Sequence, residues 1–165
     1  MSELLQVQDL KVYYFTDAGP VKAVDGVSFS LQAGERLGLV GESGSGKSTT
    51  VLALLRLVMT PGRIVGGRAL LNGDDILSSS EAEMRRVRGA EMSLIPQGAM
   101  NSLNPVMRIK HQIIDTIQAH TRHVGKEELA RRVPELLQRV GLNASVADMY
   151  QHELSGGMKQ RVCIA

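Results

Sequence analysis

The sequence contains little that would suit an oxidising compartment or the lipid phase. It has a single cysteine, Cys163, which excludes an intrachain disulfide and is typical of a reducing cytoplasm. No apolar run reaches the roughly 18 residues of a membrane-spanning helix, and the N-terminus lacks a signal-peptide pattern. Tryptophan is absent and only two Phe and three Tyr occur, so any exposed aromatic side chain is a candidate for stacking on a nucleotide base.

The sequence also lacks a strong excess of positive or negative charge. A formal net charge of +2 with no dense Lys/Arg tract gives no reason to expect a nucleic-acid partner. With 43% hydrophobic and 22% charged residues, the 165-residue chain has the composition of an ordinary soluble globular protein and can bury a core.

A glycine-rich segment in the first third of the chain has the pattern of a phosphate-binding loop. It fits G-x-x-x-x-G-K-[ST], in which glycines let successive backbone N–H groups converge on phosphate oxygens. In such a loop the ammonium of Lys47 lies between the β- and γ-phosphates, and the hydroxyl of Ser48 binds Mg²⁺. The pattern predicts that a nucleoside triphosphate is bound by Gly41, Glu42, Ser43, Gly44, Ser45, Gly46, Lys47, Ser48 and Thr49.

The residues around this loop supply the context that it requires. Residues 37–40 are a short apolar run, which predicts a buried parallel strand leading into the loop. After the loop, apolar residues at i, i+3, i+4 and i+7 predict a helix whose buried face is formed by Val51, Leu54, Leu55 and Val58. Strand, loop and helix in this order favour nucleotide binding over a glycine-rich turn with a chance lysine.

Two segments ahead of the loop predict strands. Apolar residues alternate loosely over residues 4–14 and a second strand is expected over 21–31, so a small antiparallel β layer should cover the nucleotide site. Tyr13 and Tyr14 end the first strand. Either could stack on adenine, and simple packing at the strand end is an equally good interpretation.

The region between the loop and residue 97 alternates strand and helix patterns. Residues 68–71 predict a strand that the Asn72-Gly73 turn closes into a hairpin, and residues 81–88 a short charged helix. Residues 92–95 predict another apolar strand, ending just before Gln97. A polar residue at the carboxyl end of a parallel strand points into the ligand crevice, so Gln97 is a candidate for contact on the γ-phosphate side.

The composition changes after Gln97. Helices are expected over residues 109–120 and 126–140, with a kink or break at Pro134. We therefore divide the chain into a nucleotide-binding core with its antiparallel β subdomain and phosphate loop, residues 1–97, and a helical part, residues 98–165.

A second glycine-rich segment lies near the end of the chain. Ser155 can cap a helix and leave the N–H groups of Gly156 and Gly157 exposed at its start, with no bulky side chain to block approach. This predicts another anion-binding helix terminus, although a lone Ser-Gly-Gly is more often an ordinary capped helix.

Taken together, GESGSGKST, Gln97 and LSGGMKQR resemble, in this order, the ATP-binding cassette of ABC transporters over essentially the whole chain. The resemblance implies an α/β P-loop NTPase fold of ABC type: a central, mainly parallel sheet, an N-terminal antiparallel β subdomain and an inserted helical subdomain. It implies that Tyr14 stacks on adenine, and that Gln97, in the Q-loop, senses Mg²⁺ and the attacking water and couples to a membrane subunit. Ser155, Gly156 and Gly157 would contact the γ-phosphate of ATP held by a second cassette.

One subfamily is especially similar, the ATPases of dipeptide, oligopeptide and nickel importers. The similarity lies in AVDGVSF at residues 23–29, in the phosphate loop and in SLNP at residues 102–105. It implies a peripheral ATPase at the cytoplasmic face of the cell membrane, which uses ATP and Mg²⁺ to power peptide import. The implied partners are transmembrane permease subunits, a second ATPase subunit in a head-to-tail dimer and, indirectly, a solute-binding protein. One departure is Gly98-Ala99 after Gln97, where the family commonly has an acidic residue and then proline.

A larger departure is that the Walker B aspartate, catalytic glutamate and switch histidine of the family are not found in the sequence. Lys47 and Gln97 are the catalytic candidates that position phosphate and water, but neither acts as a general base. We therefore expect the N-terminal part of a longer ATPase, truncated before the Walker B strand, which binds ATP without hydrolysing it efficiently. Two alternatives are a soluble ABC-type ATPase of DNA repair or translation, which usually carries long insertions that are absent here, and a non-catalytic nucleotide-binding module.

Overall fold

The computed structural model describes residues 3–96, 98, 102–121 and 124–165. Contacts divide the chain into two units, Met1–Met92 and Ser93–Ala165, each with a core of its own. The elements are β1 (Glu3–Thr16), β2 (Gly19–Gln32), α1 (Lys47–Leu54), β3 (Gly62–Leu71), β4 (Asp74–Asp75), α2 (Glu81–Val87), α3 (Ile109–His120), α4 (Lys126–Arg139), 3-10 helices at Ala144–Asp148 and Gln151–Glu153, and α5 (Gly156–Val162).

The first unit is built on an antiparallel sheet with the strand order β2-β1-β3-β4. Asn72 and Gly73, with φ of 52° and 96°, form the tight turn between β3 and β4, because both positions need a left-handed backbone. The predicted antiparallel layer and the predicted hairpin are therefore confirmed.

The core of this unit lies on one face of β1. Leu5 and Val7 are buried, and after an irregularity at Asp9 (φ 49°) the buried positions change from odd to even numbers, at Leu10 and Val12. An extra residue in a strand turns the following side chains to the other face, which keeps both apolar pairs inside. Among the residues packed with them are Ala53 and Leu54 of α1, Ala69 of β3 and Met84 of α2.

Two predicted parallel strands do not form. Residues 37–40 adopt no regular structure, Val40 being 96% exposed. In the predicted strand 92–95, Met92 forms an isolated parallel bridge with Arg88, while residues 93–95 are irregular and exposed. A strand needs backbone partners, and within the described ranges no strand pairs with either segment, so apolar composition alone did not produce one. The sheet of the described chain is wholly antiparallel, in contrast to the expected mainly parallel sheet.

Helix α1 is shorter than its apolar spacing predicts. Arg56 has a left-handed backbone (φ 51°) just after the helix, which ends the α-helical path at Leu54. Leu54 and Leu55 are buried as predicted, whereas Val51 and Val58 are only half-buried, and Thr50 and Ala53 complete the buried face.

The second unit is helical, as predicted. Buried residues at every fourth position of α3 and α4 form its core: Ile109, Ile113, Ile117, Leu129, Val133 and Leu137. Helix α4 runs through Pro134 without a break. In the part of the chain that the structure describes, no helix combines the length and apolar character needed to cross a membrane.

Candidate functional site

The phosphate-loop segment closes around the ammonium of Lys47. Lys47 Nζ donates to the carbonyl oxygens of Gly41 at 2.7 Å and Glu42 at 2.5 Å, and lies 3.2 Å from Ser45 Oγ. The Ser45 amide also donates to Glu42 O at 3.2 Å, which makes the loop turn back on itself. The loop backbone thus surrounds the ammonium of Lys47 at the start of α1.

Gly46 joins this loop to the helix. It is the N-cap of α1, with φ 88°, and no side chain caps the first turn of the helix. A Cβ at Gly46 would lie 2.2 Å from the carbonyl oxygen of Ala23, so no other residue fits there. Ala23 reaches this position because the pairing of β1 with β2 skips it, between Val12↔Val24 and Tyr13↔Lys22. No local pattern around Ala23 or Gly46 predicts this contact.

The start of α1 suits an anionic ligand. The first-turn N–H groups of a helix lack intrahelical acceptors and carry the positive end of its dipole, and here the N-cap residue, Gly46, has no side chain to satisfy them. Thr50, which is buried, ties the helix to the loop through Oγ1, which donates to Gly46 O at 3.0 Å. Thr50 is not among the predicted site residues, because its only signal in the sequence is a hydroxyl on the buried face of the helix.

The remaining loop residues leave the site open. Glu42, Ser43, Gly44 and Ser48 are exposed, and Thr49 is half-buried. A Cβ at Gly41 would lie 2.7 Å from Ser45 Oγ and 4.0 Å from Lys47 Nζ, so the glycine keeps space beside the ammonium. Exposed backbone, one ammonium and the Ser48 hydroxyl fit a triphosphate with Mg²⁺, since this ion usually takes one or two protein ligands and fills its other positions with phosphate oxygens and water.

The two adjacent tyrosines have different surroundings. The Tyr13 hydroxyl donates to Asp25 Oδ1 at 2.6 Å, and Lys22 Nζ lies 3.1 Å from Asp25 Oδ2 and 5.4 Å from the Tyr13 ring centroid. The hydrogen bond from Tyr13, followed by that from Lys22, lowers the pKa of Asp25, and the bond to Asp25 raises the pKa of Tyr13. Tyr14, on the opposite face of the strand, is half-buried against Gly62 and Val58.

The second glycine-rich segment lies in the second unit. Ser155 caps α5, and its Oγ accepts a hydrogen bond from the amide of Met158 at 3.4 Å, as predicted. Ser155, Gly156 and Gly157 are all exposed. A Cβ at Gly157 would meet no atom within 4 Å. Gln97, the other predicted site residue, lies outside the described residues.

Comparison with known proteins identifies relatives over the whole chain. The chain is 46% identical over 168 residues to the oligopeptide transport ATP-binding protein AppD of Bacillus subtilis, an alignment that covers 100% of the chain and 51% of AppD. It is 43% identical to the dipeptide transport ATP-binding protein DppD of Escherichia coli, covering 98% of the chain and 50% of DppD. The chain thus spans about half the length of the curated relatives it matches.

Solved structures show the fold. The structure of MJ0796, described as a dimeric bacterial ABC transporter cassette, matches with a TM-score of 0.79 at 21% identity, over 97% of this chain and 67% of that one. The structure of cbiO1 from Clostridium perfringens matches with a TM-score of 0.74 at 24% identity, over 99% and 60%. These likenesses confirm the α/β cassette fold.

The family itself is established by a domain model described as ABC transporter, which matches residues 24–165. This range contains both glycine-rich segments and the whole of the helical unit. The chain therefore belongs to the ABC transporter family.

Proposed function

We propose that the intact protein is the ATP-binding subunit that powers an ABC importer of peptides, by binding and hydrolysing ATP at a head-to-tail pair of cassettes. The observation that carries this proposal is the Lys47 ammonium held inside the loop at the uncapped start of α1. The names of the relatives support peptide transport, because AppD and DppD are oligopeptide and dipeptide transport ATP-binding proteins. Such a subunit acts at the cytoplasmic face of the membrane, bound to permease subunits.

The predicted site residues have separate proposed roles in binding ATP. Lys47 exchanges the carbonyls of Gly41 and Glu42 for β- and γ-phosphate oxygens, and the N–H groups of the loop hold the remaining phosphate oxygens. Ser48 and Gln97 are the proposed protein ligands of Mg²⁺, which neutralises phosphate charge when bound. Tyr14 is proposed to stack on the base. Its neighbour Tyr13 is already engaged with Asp25, which supports this choice between the two.

The signature residues Ser155, Gly156 and Gly157 are proposed to close the ATP site of a second cassette. Their exposure and the open space around Gly157 leave room for a γ-phosphate at the start of α5. The chain by itself is expected to bind ATP without hydrolysing it efficiently, because neither Lys47 nor Gln97 can accept a proton from water.

The experiment that tests ATP binding is Lys47→Ala. Loss of a charge-assisted contact of about 1.5–3 kcal/mol should weaken ATP binding at least about tenfold in calorimetric titration. Lys126→Ala, which removes an exposed lysine from the first turn of α4, is the control and should not change the affinity. Unchanged ATP binding by folded Lys47→Ala protein would refute the site.

The same variant separates the importer from a soluble ABC-type ATPase. In cells that depend on this transport system for a peptide nutrient, Lys47→Ala should abolish uptake of the labelled peptide while the permease subunits remain in the membrane. A soluble ATPase without a membrane partner predicts that uptake continues at the wild-type rate.

A further inference from the structure

We propose that Gly62 is a positioning residue for the base-binding tyrosine. Because Gly62 has no side chain, the ring of Tyr14 can lie against β3 in the orientation that presents it to the base of ATP. The inference rests on the proposed function, which places the base at Tyr14.

The contact between the two residues follows from the pairing of the strands. Tyr14 of β1 and Gly62 of β3 are direct antiparallel partners, and Gly62 is buried. A Cβ on Gly62 would lie 2.7 Å from Tyr14 Cε1 and 2.7 Å from Val58 Cγ1, closer than real Cβ contacts come. The Tyr14 ring and Val58 therefore occupy the volume that any other side chain at position 62 would need.

The backbone gives no separate reason for glycine at this position. Gly62 does not belong to the glycines with a left-handed φ, so an alanine could adopt its conformation. The other close neighbour of a new Cβ is the Met59 carbonyl oxygen at 3.0 Å. Two of the three close neighbours are thus side chains, and because a new Cβ would lie equally close to both, the Tyr14 ring and Val58 must both shift.

The opposite neighbour of Tyr14 leaves the ring accessible. Val21 of β2 is its direct cross-strand partner on the other side and is 55% exposed. Directly paired residues share a face of the sheet, so Tyr14 has Val21 on one side and Gly62 on the other. Stacking on the face of an aromatic ring tolerates any base, and the position of the Tyr14 ring depends on how it rests on Gly62.

The test is a set of titrations of the intact protein with MgATP and with magnesium tripolyphosphate, which has no base. Gly62→Ala should push the ring off β3 and weaken ATP binding about fivefold, part of what a stacked base contributes. Tripolyphosphate affinity should stay within about twofold of wild type, since the phosphate loop is untouched. Gly66→Ala is the matched control in the same strand: its Cβ would make an ordinary contact at 3.6 Å with Lys11 Cδ, and neither ligand should bind differently.

A double-mutant cycle shows whether Gly62 acts through the ring. In a Tyr14→Ala background, Gly62→Ala should have no further effect on ATP affinity, because the truncated side chain leaves room for the new methyl group. If Gly62→Ala alone lowers the yield of folded protein, the double variant should restore it. Failure to restore it would show that the conflict lies with Val58 or with the Met59 carbonyl rather than with the ring, and would overturn the proposal.

The other outcomes are equally decisive. Equal losses of ATP and tripolyphosphate binding would mean that Gly62 serves only the structure, and an undiminished loss in the double variant would mean that it does not act through Tyr14. If Tyr14→Ala weakens ATP binding and Gly62→Ala does not, the base contact stands and the role of Gly62 is refuted. If Tyr14→Ala itself leaves ATP binding unchanged, the proposed base contact fails, and the inference fails with it.

Discussion

The two glycine-rich helix starts of this chain are built differently. Helix α1 follows Gly46, whose backbone is left-handed and which offers no side-chain cap. Helix α5 follows Ser155, whose backbone is extended (φ −67°, ψ 162°) and whose hydroxyl accepts from the third amide of the helix. In the first case the orphan amides are left for a ligand, and in the second the protein satisfies one of them itself.

The glycines themselves also differ in what they avoid. The missing side chain of Gly46 avoids a clash within the chain, because the Ala23 carbonyl lies where its Cβ would be. At Gly157, by contrast, a Cβ would meet no atom within 4 Å. Gly46 is thus required by a contact inside the chain, whereas the open space at Gly157 is compatible with the proposed contact to a second cassette.

The largest effect that this comparison predicts is that of Gly46→Ala. A left-handed backbone costs about 1–2 kcal/mol for alanine, and overpacking against Ala23 adds about 1–3 kcal/mol. The free energy of unfolding should therefore fall by about 2–5 kcal/mol, measured by urea denaturation, and ATP binding should be lost with the loop geometry.

Gly157→Ala is the matched control for that prediction. Because the new methyl group meets open space in a helix, the free energy of unfolding should change by less than about 1 kcal/mol, and ATP binding by the monomer should be unaffected. Equal destabilisation by the two substitutions would show that the two glycines are not used differently.

The sequence predicted those parts of the fold that depend on local patterns. The hairpin at Asn72-Gly73 and helices α2, α3 and α4 follow from turn chemistry, caps and apolar spacing within a few residues. The strands expected at residues 37–40 and 92–95 depend on backbone partners elsewhere, and pattern alone could not show whether these partners are present. The local pattern of apolar residues carries no information on pairing between strands that are distant in the sequence.

In the candidate site, too, local spacing identified some residues, whereas others act through contacts with residues distant in the sequence. The spacing of the phosphate loop identified Lys47, and its hydrogen bonds to Gly41 and Glu42 are consistent with that motif. The roles of Ala23 and Gly62 could not be predicted, because each acts through a contact with a residue far away in the sequence. The resemblance already implied Tyr14, but the local pattern could not show that Tyr13 is engaged with Asp25, twelve residues away and on the neighbouring strand.

A second prediction concerns the exposed segment before α5. In a hydrolysis-deficient form of the intact protein, ATP but not ADP should drive association of two cassettes, and Ser155→Arg should abolish this association in analytical ultracentrifugation. Loss of the cap costs only about 0.5–2 kcal/mol, so ATP binding by the monomer should persist. Ser145→Arg, an exposed serine of the same unit, is the control and should leave association intact. If Ser155→Arg instead abolishes ATP binding by the monomer, the segment serves its own chain and the comparison of the two helix starts is wrong.

The smallest expected effect is at the far end of α1, which a side chain holds even though its start is uncapped. Arg88 donates from Nε to the carbonyl of Leu55 at 2.8 Å, and its guanidinium pairs with Glu81 Oε1 at 2.6 Å.

The hydrogen bond from Arg88 lowers the pKa of Glu81 from its ordinary value of 4.5. A lowered carboxyl pKa stabilises the folded state above the unfolded pKa, and the contribution disappears as the pH falls through the folded pKa. Glu81→Gln should therefore lower the melting temperature slightly near pH 7, slightly because the carboxylate is 55% exposed, and the difference should disappear as the pH falls through the lowered pKa of the folded state. In an Arg88→Gln background the same substitution should lose its pH-dependent effect, whereas an equal loss at neutral and at acid pH would show that the ion pair does not hold the end of α1.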